Sequence, residues 1–214
     1  MLAQILGRGH RSGVGIAGFD LGGLLLDGGP GADGSSAPLL MRLPLPDAWR
    51  IVVVQDPCAR GLSGSQERQA IATLPGLSRV ASADICHQIL MRVMPGAATG
   101  DFAPFAAGVT HVQQVLGTHF APAQSGRGYT SEAVGRLLRW IDARAAGQGG
   151  AAIGQSSWGP TGFAIVPSEP SAQAHVDAAR DAGVVDPALT LHIVRARNHG
   201  AVIAQRKLPP QPGS

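Results

Sequence analysis

The sequence predicts an α+β fold in which a long helical block separates the strands. Residues 49–54 are rich in β-branched side chains, which is typical of a strand. Residues 82–146 contain three successive helical patterns of apolar side chains. Residues 151–166 indicate a strand, a tight polar loop and a second strand. Because the helices are grouped in the middle of the chain, an α+β arrangement is favoured over a regular α/β alternation.

The N-terminal part predicts a small glycine-rich unit. Residues 2–6 are apolar and predict a short helix that the following glycines end. Residues 23–27 predict a buried strand, and residues 28–38 predict a loop. Residues 39–45 predict a second strand that prolines interrupt, so a boundary is expected near Pro46–Asp47.

Start and stop signals define the first part of the helical block. Residues 67–74 predict a short helix ahead of it. Ser82 or Asp84 is expected to cap the first long helix, because both side chains accept hydrogen bonds from free N–H groups at a helix start. Pro95–Gly96 is expected to stop that helix after Met94.

Two more helices complete the block. Asp101 is expected to cap the second helix, which extends to about Leu116. Ser131 is expected to cap the third, which extends to about Ala146 and carries an acid in its first turn, as the helix dipole prefers.

The C-terminal part predicts one more helix and further strands. Residues 170–182 predict a helix that a glycine ends, and residues 189–196 alternate as a strand. Residues 200–204 are expected to pair with that strand, and the proline-rich residues 208–214 are expected to form a flexible tail.

Composition excludes several classes of protein. With 214 residues, 44% hydrophobic and only 14% charged, the chain can bury a sizeable core and is not of the disordered type. No apolar run approaches the roughly 18 residues of a transmembrane helix, and the N-terminus lacks the pattern of a signal peptide. Cys58 and Cys86 match no disulfide or metal spacing. A cytoplasmic protein with reduced thiols is therefore expected.

The charges favour small anionic ligands over nucleic acid or membrane. The net charge is +3, and Lys207 is the only lysine. No basic run or basic–aromatic patch indicates a nucleic-acid binder. The seven histidines form no i,i+4 pair or Cys/His cluster, so no transition metal is expected.

Three segments contain residues suited to chemistry. Residues 7–15 (GRGHRSGVG) place Arg8, Arg11 and Ser12 among glycines, where backbone and guanidinium groups can bind phosphate or carboxylate oxygens. The alternative is a glycine-rich turn with solvent-facing arginines. The second segment contains the acids and paired glycines Asp20, Gly22, Gly23 and Asp27, which indicate either a bend beside a metal–phosphate ligand or a hairpin with turn-forming acids.

The third segment is the most informative. It contains in succession Gly154, Gln155, Ser156, Ser157, Trp158 and Gly159. The amide and hydroxyls can orient polar groups, and the indole offers a flat face to a ring. The alternative is a β-hairpin with a packed tryptophan. Lesser candidates are Gln124 with Tyr129, and Asp101, which is more simply a helix cap.

Together these segments are similar to a known family. GRGHRSGVGIAGFDLGGLLLDGG, FAPAQSGRGYTS and GQSSWGPTGFAIV, in this order, resemble β-ribofuranosylaminobenzene 5′-phosphate synthases of the GHMP-kinase superfamily. The resemblance implies a GHMP-kinase-like two-domain fold with a ferredoxin-like C-terminal domain. Residues 1–46 would be the C-terminal remnant of the N-terminal domain, and residues 47–207 the C-terminal domain. The superfamily's phosphate loop is absent from the sequence, so a partial N-terminal domain is expected.

The resemblance also implies an activity. The family condenses 5-phosphoribosyl diphosphate with 4-aminobenzoate, releasing carbon dioxide and diphosphate, in tetrahydromethanopterin biosynthesis. Either 4-aminobenzoate or a hydroxybenzoate can be the acceptor. Arg11, Asp20 and Asp27 would be catalytic, with Mg²⁺ held by Asp20 or Asp27. Arg8, Ser12, Gly22, Gly23, Gln124, Tyr129 and residues 154–159 would bind the substrates. A homodimer without nucleic-acid or membrane partners is expected.

Two alternatives stay open from the sequence. One is an ATP-dependent small-molecule kinase of the same superfamily, although Ser12–Gly13 is followed by no acidic residue that would serve as a base. The other is an inactive fragment.

Two segments, the arginine-bearing glycine bend and the Gln-Ser-Ser-Trp turn, are expected to meet in one pocket for an anionic sugar and a flat ring.

Overall fold

A computed structural model describes residues 12–29, 31, 35 and 37–203 and divides into two compact units. The first unit takes its described residues from Met1–Pro44 and Arg197–Ser214, and the second is Leu45–Ala196. The domain limits expected at residues 46 and 207 stay predictions. In the described ranges, no helix is both long and apolar enough to cross a membrane.

The first unit is a short helix beside a β-hairpin. Helix α1 (Val14–Asp20) precedes strand β1 (Leu24–Asp27), which pairs antiparallel with β2 (Leu39–Leu43). The two strands confirm the predictions for residues 23–27 and 39–45. The expected burial of the first strand is wrong, since every residue of β1 is only half-buried, and β2 is more exposed still.

The second unit contains a four-stranded antiparallel sheet. Its strands are β3 (Arg50–Gln55), β4 (Ala152–Gln155), β5 (Thr161–Val166) and β6 (Thr190–Val194), in the order β4-β5-β3-β6. Helix α6 (Glu132–Ala145) leads into the β4–β5 hairpin, and α7 (Glu169–Asp181) connects β5 to β6. This βαββαβ order is the ferredoxin-like arrangement that was expected.

Other helices precede α6 in the second unit. They are α2 (Gly64–Thr73), α3 (Arg79–Gln88), a π-helical turn (Ile89–Val93), α4 (Met94–Thr99), α5 (Phe102–Phe120) and a 3₁₀ turn (Ala121–Gln124). A second 3₁₀ turn (Ala146–Gln148) follows α6. The grouping of helices between β3 and β4 confirms the α+β prediction.

The core lies between the sheet and helices α6 and α7. Leu137, Leu138 and Ile141 of α6 are fully buried against inward-facing residues of β3 and β5 such as Val52. At Gly162 of β5 a Cβ would lie 2.5 Å from Val134 and 2.7 Å from Leu138, so the absent side chain lets α6 approach the sheet. Alternating apolar strand residues and the apolar face of α6 therefore explain the packing.

Helix α5 covers the outer edge of the sheet. Strand β4 is an edge strand, and its outward N–H groups need acceptors. Buried Thr110 Oγ1 accepts from Ile153 N at 3.0 Å and donates to the Ala151 carbonyl at 2.9 Å. One helical turn later, Gln113 Oε1 accepts from Gln155 N at 3.0 Å. Two side chains of α5 thus replace a missing neighbour strand and fix the helix beside β4.

The structure corrects the prediction for the first long helix. It begins at Arg79, where the Ser78 hydroxyl accepts from Ala81 N, and not at Ser82 or Asp84. Pro95–Gly96 does not stop it, because Pro95 lies in the first turn of α4, where a missing N–H is harmless. The helical path ends at Gly100 in the left-handed conformation.

Other element predictions have mixed outcomes. Ser131 caps α6 as predicted, since its hydroxyl accepts from Val134 N. Asp101 occupies the cap position of α5 but makes no side-chain cap hydrogen bond. Residues 200–203 do not pair with β6, because Ala201 N donates to the Phe19 carbonyl in the first unit. The predicted helix over residues 2–6 and the tail from residue 208 lie outside the described residues.

Buried His175 on α7 should make the stability of the protein depend on pH. Burial, reinforced by the charge of Arg144, lowers the pKa of His175 below its ordinary value of 6.5. The unfolded chain therefore binds the proton more readily, so stability is complete above about pH 6.5 and falls below it, by up to about 1.4 kcal/mol per pH unit. His175→Leu should remove this part of the loss when urea unfolding is compared at pH 7.5 and pH 5.0. Exposed His87→Leu is the control, and an unchanged loss in His175→Leu would contradict the expectation.

Candidate functional site

A cavity of about 260 Å³ opens in the second unit beside the turn between β4 and β5. Its volume is slightly below the roughly 300 Å³ at which pockets for drug-sized ligands begin. It is therefore suited to a ligand of one small ring. Its lining residues come from α2, α5, the segment 124–129 and the turn: Glu67, Ile71, Gln113, Leu116, Gly117, Phe120, Gln124, Gly128, Tyr129, Gln155, Ser157 and Trp158.

The β4–β5 turn holds Trp158 in a defined position. Ser156 N donates to the Thr161 carbonyl and Gly159 N to the Ser156 carbonyl, both at 2.9 Å. Ser157 and Gly159 both have positive φ, 51° and 56°, a conformation that is uncommon for serine. The indole of Trp158 is only 7% exposed and contacts the Phe120 ring at a centroid distance of 4.8 Å. The two rings form the aromatic wall of the cavity.

The Gln155 side chain links the turn to the segment before α6. Its Oε1 accepts from Thr130 N at 2.6 Å. Its Nε2 donates to Gln124 Oε1 at 2.9 Å and to the Ser157 carbonyl at 2.8 Å. Both amide hydrogens of Gln155 are therefore used within the protein, which gives this residue a positioning role in the turn.

Thr130 joins the same polar cluster. Its hydroxyl, which has a single proton, lies 2.7 Å from both Gln124 Oε1 and the Trp158 carbonyl. The hydroxyl can donate to either oxygen, so it ties the 3₁₀ turn at Gln124 to the Trp158 backbone.

A loop after β3 supports the turn from another direction. Asp56 accepts from the Ser131 hydroxyl at 2.6 Å and from Cys58 N at 2.9 Å. The Ser131 hydrogen bond lowers the pKa of Asp56, against the opposing effect of burial. The loop then brings Gly61 so close to the turn that a Cβ there would lie 2.2 Å from the Gly159 carbonyl oxygen. Asp56 and Gly61 are thus positioning residues for Trp158.

Charge is sparse in the cavity. Among the described lining residues, Glu67 is the one side chain with a formal charge at neutral pH. Burial raises the pKa of Tyr129, so its phenol is neutral. The Arg139 guanidinium lies 5.8 Å from the Tyr129 ring centroid and supports that ring outside the lining. A strongly anionic group such as a diphosphate finds no cationic side chain among these residues.

Several predicted site residues meet in this cavity. Gln124, Tyr129, Gln155, Ser157 and Trp158 all contribute to its lining. Ser156 is exposed and is not among the lining residues. At Gly154, packing within the protein accounts for the glycine. A Cβ there would lie 2.5 Å from the side chain of Gln113, which supports β4. The predicted substrate contacts themselves stay predictions.

The remaining predicted residues belong to the first unit. Arg8 and Arg11 lie outside the described residues. Gly22 has a positive φ, and a Cβ there would lie 2.4 Å from the Arg197 carbonyl oxygen, so close approach of the chain to itself already accounts for this glycine. Gly23 N donates to the same carbonyl at 2.7 Å.

Asp27 caps the start of α1. Its Oδ2 accepts from the Ser12 hydroxyl at 2.7 Å, from Gly13 N at 2.7 Å and from Val14 N at 3.2 Å, and its Oδ1 accepts from Gly29 N at 3.1 Å. Burial raises the pKa of Asp27, but these hydrogen bonds outweigh it and lower the pKa overall. The carboxylate therefore has a structural task that the sequence spacing did not indicate.

The two candidate Mg²⁺ ligands differ in their fit. Mg²⁺ is usually held by one or two carboxylates together with the phosphates of a substrate. Asp27 fits poorly, because four donors already use the roughly four acceptor sites of its carboxylate. Asp20, at the other end of α1, is exposed and fits better.

Seven of the twelve described lining residues were not predicted from the sequence. Gln113 and Phe120 of the lining, and Thr130 beside it, were not singled out, although each contacts Gln155 or Trp158. The glycines on either side of Gln124 were a signal, available in the sequence, that two segments pack closely there. A Cβ at Gly117 would lie 3.0 Å from the Gly128 carbonyl oxygen, so the end of α5 packs closely on the segment that follows.

Known proteins match this chain in sequence. Residues 93–185 match the family described as GHMP kinases C terminal. A beta-ribofuranosylphenol 5′-phosphate synthase from Archaeoglobus fulgidus is 32% identical over 179 residues, covering 78% of this chain and 52% of that protein. One of the same name from Methanothermobacter thermautotrophicus is 29% identical over 182 residues, covering 79% and 52%. The chain thus spans about half the length of these curated relatives.

Solved structures match the chain in fold. Homoserine kinase from Cytophaga hutchinsonii aligns with a TM-score of 0.56 at 17% identity, over 86% of this chain and 52% of that one. Mevalonate diphosphate decarboxylase from Staphylococcus aureus aligns with a TM-score of 0.54 at 12% identity, over 79% and 50%. At such low identity the likeness concerns the fold alone. The expected resemblance is confirmed: residues 93–185 match the C-terminal family of GHMP kinases, and the chain has an α+β fold similar to that of the solved kinase and decarboxylase structures.

Proposed function

We propose that this chain is part of a transferase that joins 5-phosphoribosyl diphosphate to a 4-substituted benzoate. The observation that carries the proposal is the 32% identity, over 78% of the chain, to a protein named beta-ribofuranosylphenol 5′-phosphate synthase. That name specifies a ribofuranosyl 5′-phosphate joined to a phenol. The family resemblance of the motifs adds 4-aminobenzoate as the acceptor, so both 4-amino and 4-hydroxy acids are candidates.

The cavity of the second unit supports the acceptor half of this proposal. Trp158 and Phe120 offer ring faces, and aromatic pairs gain roughly 0.5–1.5 kcal/mol beyond the burial of their area. The volume of about 260 Å³ suits one ring. We therefore assign the benzoate ring to this cavity.

The phosphoribosyl donor needs other groups. Its phosphates call for cations, and the described lining of the cavity offers none. We assign phosphate binding to Arg8, Arg11 and Ser12 of the first unit. Mg²⁺ carried by the diphosphate would be held by Asp20, and it would offset the negative charge of the leaving group.

The proposed chemistry balances without an external acid or oxidant. The bond between the anomeric carbon and the diphosphate oxygen breaks, and the diphosphate leaves with the electron pair. The ring carbon that bears the carboxylate forms the new carbon–carbon bond to the anomeric carbon. The bond to the carboxylate then breaks, carbon dioxide leaves, and its electron pair restores the aromatic ring. The protein's task is to align the ring face with the sugar and to stabilise charge.

The direct test measures both products. Incubated with 5-phosphoribosyl diphosphate and a carboxyl-labelled 4-amino- or 4-hydroxybenzoate, the protein should release labelled carbon dioxide and diphosphate in equal amounts. Arg11→Ala should lower the rate about 100-fold, because a charge that stabilises the leaving group is lost. Exposed Arg79→Ala on α3 is the control. Absence of carbon dioxide with either acid would refute the proposal, and ATP consumption with an alcohol would favour a kinase.

A further inference from the structure

A second cavity, of about 280 Å³, lies in the second unit between α5, α6 and the residues that lead into β4. Its described lining shares no residue with that of the cavity beside Trp158. The lining residues with small side chains are Ala103, Ala107, Gly149, Gly150 and Ala151. The polar lining residues are Arg92, Thr110, His111, Gln114 and Asp142. This second cavity therefore combines room for one small molecule with side chains of both charges.

The π-helical turn brings Arg92 to the second cavity. Arg92 lies within this turn (Ile89–Val93), and such turns are rare and often found at functional sites. The turn packs closely on α5, since a Cβ at Gly108 would lie 2.8 Å from the Val93 side chain and 3.1 Å from Cβ of Arg92. Arg92 forms no ion pair or side-chain hydrogen bond with any residue that the structure describes. Its charge and its donors are therefore available to a ligand.

Asp142 of α6 brings a partly buried carboxylate to the same cavity. Among the described residues, this carboxylate has no hydrogen-bond or ion-pair partner. The two arginines nearest to it along α6 are used elsewhere, since Arg139 contacts the Tyr129 ring and Arg144 contacts the Trp140 ring. Burial raises the pKa of Asp142, and no neighbour offsets this effect in the described part of the chain. A cation bound beside Asp142 would favour its ionised form.

His111, the other titratable residue of the described lining, already has a partner. Its Nε2 lies 2.6 Å from Asp84 Oδ2, and this hydrogen bond lowers the pKa of Asp84. Because the Asp84 carboxylate is ionised, the ring nitrogen is the donor. His111 is thus bound to α3 and satisfies neither Arg92 nor Asp142. In the described lining, these two are the charged side chains that lack a partner.

We propose that the second cavity binds a small apolar α-amino acid, whose carboxylate contacts Arg92 and whose ammonium group contacts Asp142. A guanidinium can donate two parallel hydrogen bonds to a carboxylate, and a carboxylate accepts from an ammonium group. Arg92 and Asp142 do not pair with each other, so one molecule that carries both charges can satisfy both. The alanines and glycines of the lining leave room for a short apolar side chain. This inference goes beyond the proposed function and does not depend on it.

Titration calorimetry with L-valine and two of its fragments tests the proposal. Isovalerate keeps the side chain and the carboxylate but lacks the ammonium group. Isobutylamine keeps the side chain and the ammonium group but lacks the carboxylate. The unmodified protein should bind L-valine at least about tenfold more tightly than either fragment, because each fragment leaves one charged side chain unpaired. If L-valine does not bind, or if either fragment binds as tightly, the proposal is refuted.

Asp142→Asn and Arg92→Gln assign the two charges separately. In Asp142→Asn, L-valine should bind no more tightly than isovalerate, because its ammonium group has lost its partner. In Arg92→Gln, L-valine should bind no more tightly than isobutylamine. The matched controls, exposed Asp181→Asn at the end of α7 and exposed Arg195→Gln after β6, should keep both preferences. If either preference persists in the variant that should abolish it, the assigned contact is wrong.

Urea unfolding distinguishes a ligand contact from a structural role. Asp142→Asn should be at least as stable as the unmodified protein, because it removes a partly buried charge that has no partner in the described structure. L-valine should raise the melting temperature of the unmodified protein and leave that of Asp142→Asn unchanged. A clear loss of stability in Asp142→Asn without L-valine would show that the carboxylate supports the fold, and would overturn its assignment to the ligand.

Discussion

Replacing Gly61 with alanine is expected to displace the β4–β5 turn and to weaken binding of the aromatic acid. A Cβ at this position would lie 2.2 Å from the Gly159 carbonyl oxygen and 2.3 Å from that of Trp158. Both neighbours are backbone atoms, so no side-chain rotation can relieve the overlap. Overpacking of this kind costs about 1–3 kcal/mol, and here the strain falls on the segment that carries Trp158. We expect an affinity loss of at least about tenfold.

Gly76→Ala is the control for this prediction. Gly76 has no atom within 4 Å of the Cβ position, so the same substitution should leave both stability and binding unchanged. Urea unfolding gives the stability of each variant, and titration calorimetry gives the affinity for the acid. If Gly61→Ala binds the acid as well as the unmodified protein does, the loop after β3 does not position the turn.

Trp158→Ala is expected to have the largest effect on stability. The indole is 7% exposed and packs on Phe120, and deletion of a buried tryptophan side chain costs about 3–5 kcal/mol. The same deletion removes one wall of the cavity, so KM for the aromatic acid should rise sharply. KM for 5-phosphoribosyl diphosphate should change little, because we assign that substrate to other residues.

Trp158→Phe separates the two effects. A phenyl ring keeps part of the packing on Phe120, so most of the stability should return while KM for the acid stays raised. Trp140→Phe on α6, which stands outside the described lining, is the control. An unchanged KM for the acid in a folded Trp158→Ala would show that the indole does not contact the ring.

Local sequence signals predicted those elements whose cause is local. The β-branched residues of β3 predict a strand, and Ser131 caps α6 with its own hydroxyl. The polar turn between β4 and β5 was predicted in the same way, since a purely structural turn does not require a glutamine, two serines and a tryptophan in succession. In each case the residues that signal the element also form it.

Elements that are stabilised by residues distant in the sequence were not predicted. Helix α1 has poor local propensity, with two glycines in seven residues, and the Asp27 carboxylate holds its first turn from beyond the next strand. The continuation of the helical path through Pro95 depends on packing, since a Cβ at Gly96 would lie 2.7 Å from the Asp101 carbonyl oxygen and 2.9 Å from Phe105. No pattern within either segment reports such contacts.

The residues that line the cavity show the same difference between local signals and contacts from distant parts of the chain. Gln155 and Trp158 were predicted from their own segment, but Gln113 and Phe120 reach the turn from α5. A ligand-binding role was predicted for Gln155 and stays a prediction, and the structure adds that both of its amide hydrogens are used within the protein. For Gln124, the lesser candidate, no acceptor of the amide nitrogen lies among the residues that the structure describes. Only the three-dimensional network assigns these different roles to two identical side chains.

We propose that the cavity beside Trp158 binds the ring of an aromatic acid, and the indole N–H signals of the three tryptophans report on this binding separately. Trp49 packs on Phe102 and Phe105, and Trp140 contacts Arg144, so neither lines the cavity. In a nuclear magnetic resonance titration with 4-hydroxybenzoate, the Trp158 signal, assigned with Trp158→Phe, should shift and saturate while the other two stay in place. A saturating titration in which the Trp158 signal does not shift, or in which the Trp49 or Trp140 signal shifts instead, would show that the ring binds elsewhere.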